Sequence, residues 1–425
     1  MILSNEPIRD AFVAAGYEFV QLEPRIPDAK TNWRPDVVAW AADVAGTLVP
    51  WAVVETKKSS GAIHPEIGLS VLARARDLLG TVDHYVVVND TEWYRADPGI
   101  QRLVKVDGPA APPNGGEGEI ADVDFATALL SEDLWKAASR TRDRGAAVLD
   151  YVSGPEISLD LEGFRTATGS WVPIRRETLW QARRRAIVDF ERRGKEAGIY
   201  TSPRGIAQVV AQLAGSRLTW DLLDPFCGAG SFLWEAVDYA QEHGTGLNTV
   251  LGYDINQRTA EVARSIANAA PVPVEIIAAD ALTTDLPLST CVVAGPPFGL
   301  KLQEHHELLD GSTTRDGDLV VLDRMVRLLG SGGRAVLHLP VGITFRATGE
   351  RYRQFLATQF RVAAILGLPS GAVVGTGIRS ILMVIENAAP TDTFVAQLGE
   401  DWESQLAAGG AALGAALAHI EGARP

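Results

Sequence analysis

The sequence predicts an α/β protein built from two units, on three observations. Between Asp221 and Glu386, short apolar runs alternate with helical stretches, the pattern of a largely parallel sheet covered on both faces. A smaller segment with mixed strand and helix patterns precedes it. Between the two lies Asp107–Gly118, DGPAAPPNGGEG, too rich in Pro and Gly for helix or strand. The expected organisation is therefore an α/β domain over 1–106, a linker over 107–118, a helical connector over 119–199, a second α/β domain over 200–387 and a tail over 388–425.

In the first segment, the spacing predicts a short helix around Ile8–Ala15. Two strands follow at Pro35–Ala41 and Leu48–Lys57, separated by a DVAG turn. Ile67–Leu79 carries helical spacing, and Tyr85–Val88 is a short apolar strand ending in the turn-like NDTEW. Arg175–Lys195 is locally basic, which suits either a solvated helix face or a helix that contacts phosphate. In the second unit the expected strands are WDLLDPF, VLGYDI, VEIIAAD, TCVVAG, RAVLHLP, RVAAILGLP and SILMVIE.

Composition sets limits. The 425 residues are 46% apolar and 22% charged, an ordinary globular mixture that suits two or three domains. Two cysteines, a start without a basic stretch before an apolar core, and no apolar run of membrane-spanning length lead to the expectation of a cytoplasmic protein with no membrane partner. A net charge of −14 argues against a protein that coats nucleic acid, but leaves room for a local basic face.

The candidate chemistry begins at Asp224-Pro-Phe-Cys-Gly228-Ala-Gly230-Ser-Phe-Leu, between an apolar strand and a helix. Glycines let the backbone approach a ligand, and the helix start offers free N–H donors. The nicotinamide fingerprint needs a third glycine at 233, where this chain has Leu, so a dehydrogenase is disfavoured. Instead Asp224, Asp254 (in LGYDIN) and Asp280 (in IIAAD) end three successive strands. Three carboxylates there suit a ligand with an ammonium group, ribose hydroxyls and an adenine amine, and repel a triphosphate. Taken singly, each acid could merely cap its helix.

These residues resemble the S-adenosylmethionine site of amino-methylating DNA methyltransferases, in particular the methylation subunits of type I restriction–modification systems. DPFCGAGSFL resembles their DPxCGxGxFL motif. Tyr200-Thr201-Ser202-Pro203 is similar to their YTP segment, and LPSGAVVGTGIRSILMVIE to their closing strands. The likeness runs over about 195–387. It implies a Rossmann-like methyltransferase fold and a cofactor held by Tyr200, Thr201, Pro203, Asp224, Phe226, Gly228, Gly230, Asp254, Ile255, Asp280 and Ala281. The implied substrate is adenine N6 in DNA. The family's catalytic turn, Asn/Asp-Pro-Pro-Tyr/Phe, corresponds to Gly295-Pro296-Pro297-Phe298. In the family, the Asn side chain and the Pro carbonyl accept the two hydrogens of the target amine, and the aromatic stacks on the flipped base. Gly295 supplies no side-chain acceptor. A target-recognition domain usually follows the methyltransferase; about forty residues follow Glu386 here, so the expected source of specificity is a separately encoded subunit.

Pro35-Asp36 is followed eighteen residues later by Glu55-Thr56-Lys57. In an extended strand Glu55 and Lys57 share one face. Asp36 and Glu55 on adjacent strands would hold Mg²⁺, with Lys57 orienting water or countering charge on phosphate. Together with YVVVNDTEW this segment resembles PD-(D/E)xK nucleases and the N-terminal domain of type I restriction subunits, in which an acid from the preceding helix often joins the site; Glu18 and Glu23 are the candidates. The leading expectation is an adenine-N6 DNA methyltransferase of a restriction or phage-defence system. A cofactor-binding scaffold that no longer transfers methyl groups, and a nuclease effector gated by the cofactor, are the alternatives.

Overall fold

The computed structural model describes residues 5–17, 19–24, 34–58, 61, 63–114, 118–140, 163–165, 171–193, 202–373 and 377–422. The chain divides into two compact units, residues 1–140 with 154–187, and residues 141–153 with 188–425. Among the described residues, no helix is long and apolar enough to cross a membrane.

The first unit opens with α1 (Glu6–Ala14), β1 (Phe19–Leu22), β2 (Val37–Ala42), β3 (Thr47–Lys57), α2 (Leu69–Leu79), β4 (Asp83–Val88), β5 (Glu92–Ala96) and β6 (Leu103–Val106). These six strands lie side by side in chain order. β1–β2 and β2–β3 are antiparallel, β3–β4 is parallel with α2 as its crossover, and β4–β5–β6 closes as a meander. α1 lays Ile8 and Phe12 against Val37, Ala39, Ala52, Val54 and Tyr85, all fully or almost fully buried. β2 and β4 are buried along their whole lengths, which is why VVAWAA and the YVVV part of β4 read as unbroken apolar runs; Asp83 at the start of β4 is buried against the Tyr85 hydroxyl and Arg95.

The Pro- and Gly-rich segment does not lead to a free-standing connector. Just beyond it β7 (Glu119–Ile120) pairs in parallel with the start of β3, and Glu119 donates its N–H to the Gly46 carbonyl. There follow α3 (Val123–Arg140), β8 (Gly163–Arg165), β9 (Trp171–Pro173) and α4 (Arg176–Arg193). Much of the stretch expected as a connector therefore packs with the first unit. Long-range pairing by two residues leaves no periodic signal. In the basic stretch, Arg183 and Arg184 are buried, while Arg175 and Arg185 pair with Glu119 and Asp124. Its described part thus offers no continuous positive face.

The second unit comprises α5 (Arg204–Ala214), β10 (Asp221–Asp224), α6 (Ser231–His243), β11 (Thr249–Asp254), α7 (Gln257–Ala267), β12 (Val274–Ala278), β13 (Ser289–Ala294), β14 (Lys301–Glu307), β15 (Thr313–Asp316), α8 (Gly317–Arg327), β16 (Leu329–Pro340), α9 (Glu350–Gln359), β17 (Arg361–Leu368), β18 (Ser380–Glu386), β19 (Phe394–Gln397), α10 (Trp402–Leu406) and α11 (Ala411–Gly422). Eight strands form one sheet in the order β12-β11-β10-β13-β16-β18-β17-β19, and β14–β15 is a separate hairpin. Every pairing in the sheet is parallel except the two made by β18, which inserts between β16 and β17. Strand order reverses between β10 and β13, and such sheets bind ligands beyond the strand ends at that switch point.

The segment expected as a tail contributes to the sheet. β19 adds to β17, and α11 packs against both. Beneath it lies a buried ionic cluster: Arg334 pairs with Glu386 at 2.7 Å and Glu421 at 2.9 Å, and Arg361 with Glu386 at 2.6 Å.

Candidate active site

The sheet places the sequence-predicted acids at neighbouring strand ends. Asp224 is the last residue of β10 and Asp254 the last of β11, while Asp280 lies two residues past β12. On the other side of β10, Gly295 follows the end of β13. Four adjacent strands thus deliver the three carboxylates and the Pro-Pro-Phe turn to one edge of the sheet.

Asp224 is 1% exposed, and its Oδ1 accepts the Phe226 N–H at 3.0 Å. Burial pushes its pKa up to about 8; the Asp254 charge adds to this and the Phe226 N–H opposes it. Asp254 is half-buried. Its Oδ2 accepts from the Gly228 N–H at 3.1 Å and its Oδ1 from the Asn256 N–H at 2.8 Å. Burial raises its pKa, against those two donors. The cap of α7 is Asn256, whose side chain accepts from Arg258 and Thr259, so Asp254 is not spent on capping. Each of its oxygens keeps a lone pair for a ligand. Asp280 Oδ1 accepts from Leu282 at 2.9 Å. Ile255 is 74% exposed although apolar, Phe226 is half-buried, and Ala281 is buried.

The glycine loop is held in one shape. Gly228 and Gly230 have φ of +56° and +88°, which L side chains rarely adopt. A Cβ on Gly230 would also stand 2.1 Å from the Trp234 ring, whose Nε1 donates to the Ala229 carbonyl at 2.6 Å. Trp234 is therefore the residue that fixes the loop. Nothing in the GAG pattern points to it. A Cβ on Gly252 of β11 would stand 2.6 Å from Ile276 Cδ1 and 2.9 Å from Leu233 Cδ1, so both side-chain ends would have to shift.

At the Gly295–Phe298 turn Pro296 is buried, Pro297 exposed and Phe298 half-buried. The Phe298 ring meets His338 of β16 edge-on, with centroids 5.2 Å apart. His338 is buried and its Nε2 lies 2.9 Å from Ser380 Oγ. Burial lowers its pKa to about 4, so the ring is neutral near pH 7. Gly299 donates its N–H to the buried Asp318 at 2.9 Å, and Arg346 pairs with Asp318 at 2.9 Å, which fixes the exit of the turn. Where a side chain at 295 would begin, the space is lined by the Phe232 ring at 3.0 Å and by Ser202 Oγ at 3.5 Å. Pro203 precedes α5 as its cap residue. Tyr200 and Thr201 lie outside the described residues.

In the first unit, the β2–β3 register brings Asp36 opposite Glu55. Asp36 Oδ2 accepts from the Thr56 N–H at 2.6 Å and the Thr56 hydroxyl at 2.7 Å, and Lys57 pairs with Glu55 at 2.5 Å. Burial raises the Glu55 pKa, Lys57 opposes the shift, and the Asp36 charge adds to it. Among the described residues, no group of three His, Cys, Asp or Glu side chains is placed to hold a metal ion. Glu18 lies outside those residues. Glu23 donates its backbone N–H to the Asp36 carbonyl at 2.8 Å.

The sheet order of the second unit is that of the class I S-adenosylmethionine-dependent methyltransferase fold. A family model described as N-6 DNA Methylase matches residues 186–403, just over half of the chain. The methylase subunit of the type I restriction enzyme MpnII from Mycoplasma pneumoniae is 27% identical over 221 residues, 45% of this chain and 41% of that protein. The corresponding EcoEI subunit from Escherichia coli is 25% identical over 216 residues, 46% of this chain and 44% of that protein. The matches thus span less than half the length of these relatives. The solved type I restriction–modification methyltransferase subunit from Streptococcus thermophilus is 22% identical, with a TM-score of 0.45 over 52% of each chain. The family model runs from within α4 to within α10 and takes in every strand of the larger sheet, so the chain belongs to the N-6 DNA methylase family.

Proposed function

We propose that this chain transfers a methyl group from S-adenosylmethionine to the exocyclic N6 of adenine in DNA, within a restriction–modification system. The observation that carries the reading is the delivery of Asp224, Asp254 and Asp280 to one sheet edge beside the Pro296–Phe298 turn.

The donor set fits the cofactor. Asp254 has lone pairs for two ribose hydroxyls, exposed Ile255 offers an apolar platform for a purine face, and Asp280 can accept from an adenine amine. Phe226 and Ala281 line the same edge, and the Gly228–Gly230 backbone admits a ligand closely. Asp224 supplies negative charge toward an ammonium group. When bound, the cofactor contributes an electrophilic methyl on a sulfonium. The protein's part is to orient the base. Phe298, braced by His338, offers a stacking face for a flipped adenine, and the backbone carbonyl at Pro296 accepts from its amine. DNA and a separately encoded specificity subunit are the proposed partners. The relatives supporting this are methylase subunits of type I restriction enzymes.

The test is methyl transfer from labelled cofactor to DNA of mixed sequence, with and without proteins encoded nearby, alongside calorimetry of cofactor binding. Binding with transfer to adenine supports the reading. Binding without transfer under any combination points to the scaffold alternative, and the absence of binding defeats the cofactor assignment.

A second reading concerns the first unit, favoured by its topology. The order α1-β1-β2-β3-α2-β4, with β3 and β4 parallel and Asp36 facing Glu55 across β2–β3, is that expected of a PD-(D/E)xK nuclease-like domain. Asp36 and Glu55 would be its Mg²⁺ ligands, with Lys57 beside them. Mg²⁺- or Mn²⁺-dependent DNA cleavage, abolished by Glu55→Ala, is the expected result. If metal has no effect on DNA, the unit has no nuclease centre.

A further inference from the structure

An exocyclic amine has two N–H groups. Freeing its lone pair from the ring takes two acceptors, and the turn at 295–298 supplies only one through its backbone. The space a side chain at 295 would use is nevertheless tight. A Cβ there would stand 3.0 and 3.2 Å from the Phe232 ring, and Phe232 is itself buried. The nearest polar atom to that point, beyond the adjacent residues, is Ser202 Oγ at 3.5 Å. The Ser202 side chain is half-buried, and its hydroxyl has no hydrogen-bond partner among the described residues. The Ser202 hydroxyl lies beside the Gly295 position together with the Phe232 ring, which neighbours the neutral His338 that meets Phe298 edge-on. It accepts a hydrogen bond without adding charge next to a nitrogen that becomes cationic.

We infer that the Ser202 hydroxyl is the second acceptor for the target amine, doing from the segment before α5 what a side chain at 295 does elsewhere in the family. The inference rests on the adenine-methylation reading. In the step itself, the N6 lone pair forms the N–C bond as the S–C bond breaks, its electron pair staying on sulfur. The nitrogen takes the positive charge and then gives one proton to water. Ser202 holds the departing N–H but keeps its own proton, so it orients the amine and is not a base.

The experiment uses the full chain, with its partner subunit where one proves necessary. It compares single-turnover methylation and calorimetric cofactor affinity for the parent, Ser202→Ala, Ser202→Thr, Gly295→Asn and the double variant Ser202→Ala/Gly295→Asn. Loss of one acceptor at a transition state slows the reaction about 10²–10³-fold. Ser202→Ala should slow transfer by that factor with cofactor affinity within threefold of the parent, and Ser202→Thr should keep most of the rate. Gly295→Asn should slow the parent, because its Cβ crowds the Phe232 ring and its amide competes with Ser202 for the same N–H. The same substitution should speed Ser202→Ala at least tenfold, because an amide then supplies the missing acceptor. A Ser202→Ala rate within threefold of the parent overturns the inference and leaves the methyltransferase reading intact. Equal losses in rate and cofactor affinity overturn it by assigning Ser202 to the cofactor. A parent that binds cofactor but never methylates adenine refutes the underlying reading, and this inference with it.

Discussion

Replacing Asp224 by Asn should stabilise the ligand-free protein at high pH while weakening its hold on the cofactor. The carboxyl is 1% exposed, forms no salt bridge among the described residues, and has its pKa pushed up to about 8. In the unfolded chain it titrates near 3.9. Between those values the folded state carries a proton that the unfolded state has lost. Stability therefore falls as pH rises from about 4 to about 8, and levels off above. At about 1.4 kcal/mol per pH unit, the roughly three units between 3.9 and pH 7 correspond to about 4 kcal/mol as an upper bound. An Asn carries no such burden at any pH and still accepts from the Phe226 N–H. Its extra N–H group lacks a partner, which costs about 1–3 kcal/mol. Urea unfolding at pH 5, 7 and 9 should show the variant equal to or less stable than the parent at pH 5, and more stable by about 1–3 kcal/mol at pH 9. Binding a cationic cofactor should also expel the Asp224 proton. Parent calorimetry near pH 7 would then show a binding enthalpy that depends on the buffer's ionisation enthalpy, and the Asp224→Asn variant would lose that dependence. A stability difference that does not change with pH would refute the reasoning, because the raised pKa of the buried carboxyl is the source of that change.

Three further substitutions test other parts of the structure. Gly230→Ala places a Cβ against Trp234 at a φ of +88°, and should cost about 2–4 kcal/mol with loss of cofactor binding; melting temperature and calorimetry check both. Asp254→Ala removes the proposed ribose acceptor and frees the Gly228 N–H. Cofactor affinity should fall at least 30-fold, with unfolding changed by less than about 2 kcal/mol. Glu386→Ala leaves Arg334 and Arg361 buried without their shared carboxylate. It should destabilise the second unit by about 3–5 kcal/mol in urea unfolding, and more than Glu421→Ala, which removes a partner at the edge of the cluster.

Local pattern revealed the elements whose burial is local. All seven strands expected between Asp221 and Glu386 are present, because each is a short apolar run closed by an acid or a turn. β19 escaped because FVAQ alternates between half-buried and exposed positions at a sheet edge. The β14–β15 hairpin escaped because KLQEHHE is polar on both faces. The pairing of β7 with β3 spans some seventy residues, and no periodicity records it. The site divides in the same way. Asp224, Asp254, Asp280 and the Pro-Pro-Phe turn could be read from strand endings. Trp234 behind Gly230, His338 beside Phe298, Asp318 on Gly299 and Ser202 beside Gly295 are defined by approaches that no local pattern encodes.

Because β18 lies between β16 and β17, the order in which strands leave the ribosome is not the order in which they join the sheet. β17 emerges before β18 yet has no place until β18 has paired with β16. Arg334 meets its first carboxylate only when residue 386 has been made, and its second only at residue 421. Until then the growing chain holds a guanidinium without its carboxylates, and burying it in that state is costly. The half carrying Asp224, Asp254 and Asp280 has its strands complete much earlier. During synthesis, the strands of the proposed cofactor edge are thus all made before the sheet that supports Phe298 through His338 can close, so the proposed base-stacking turn is the later of the two to gain its support.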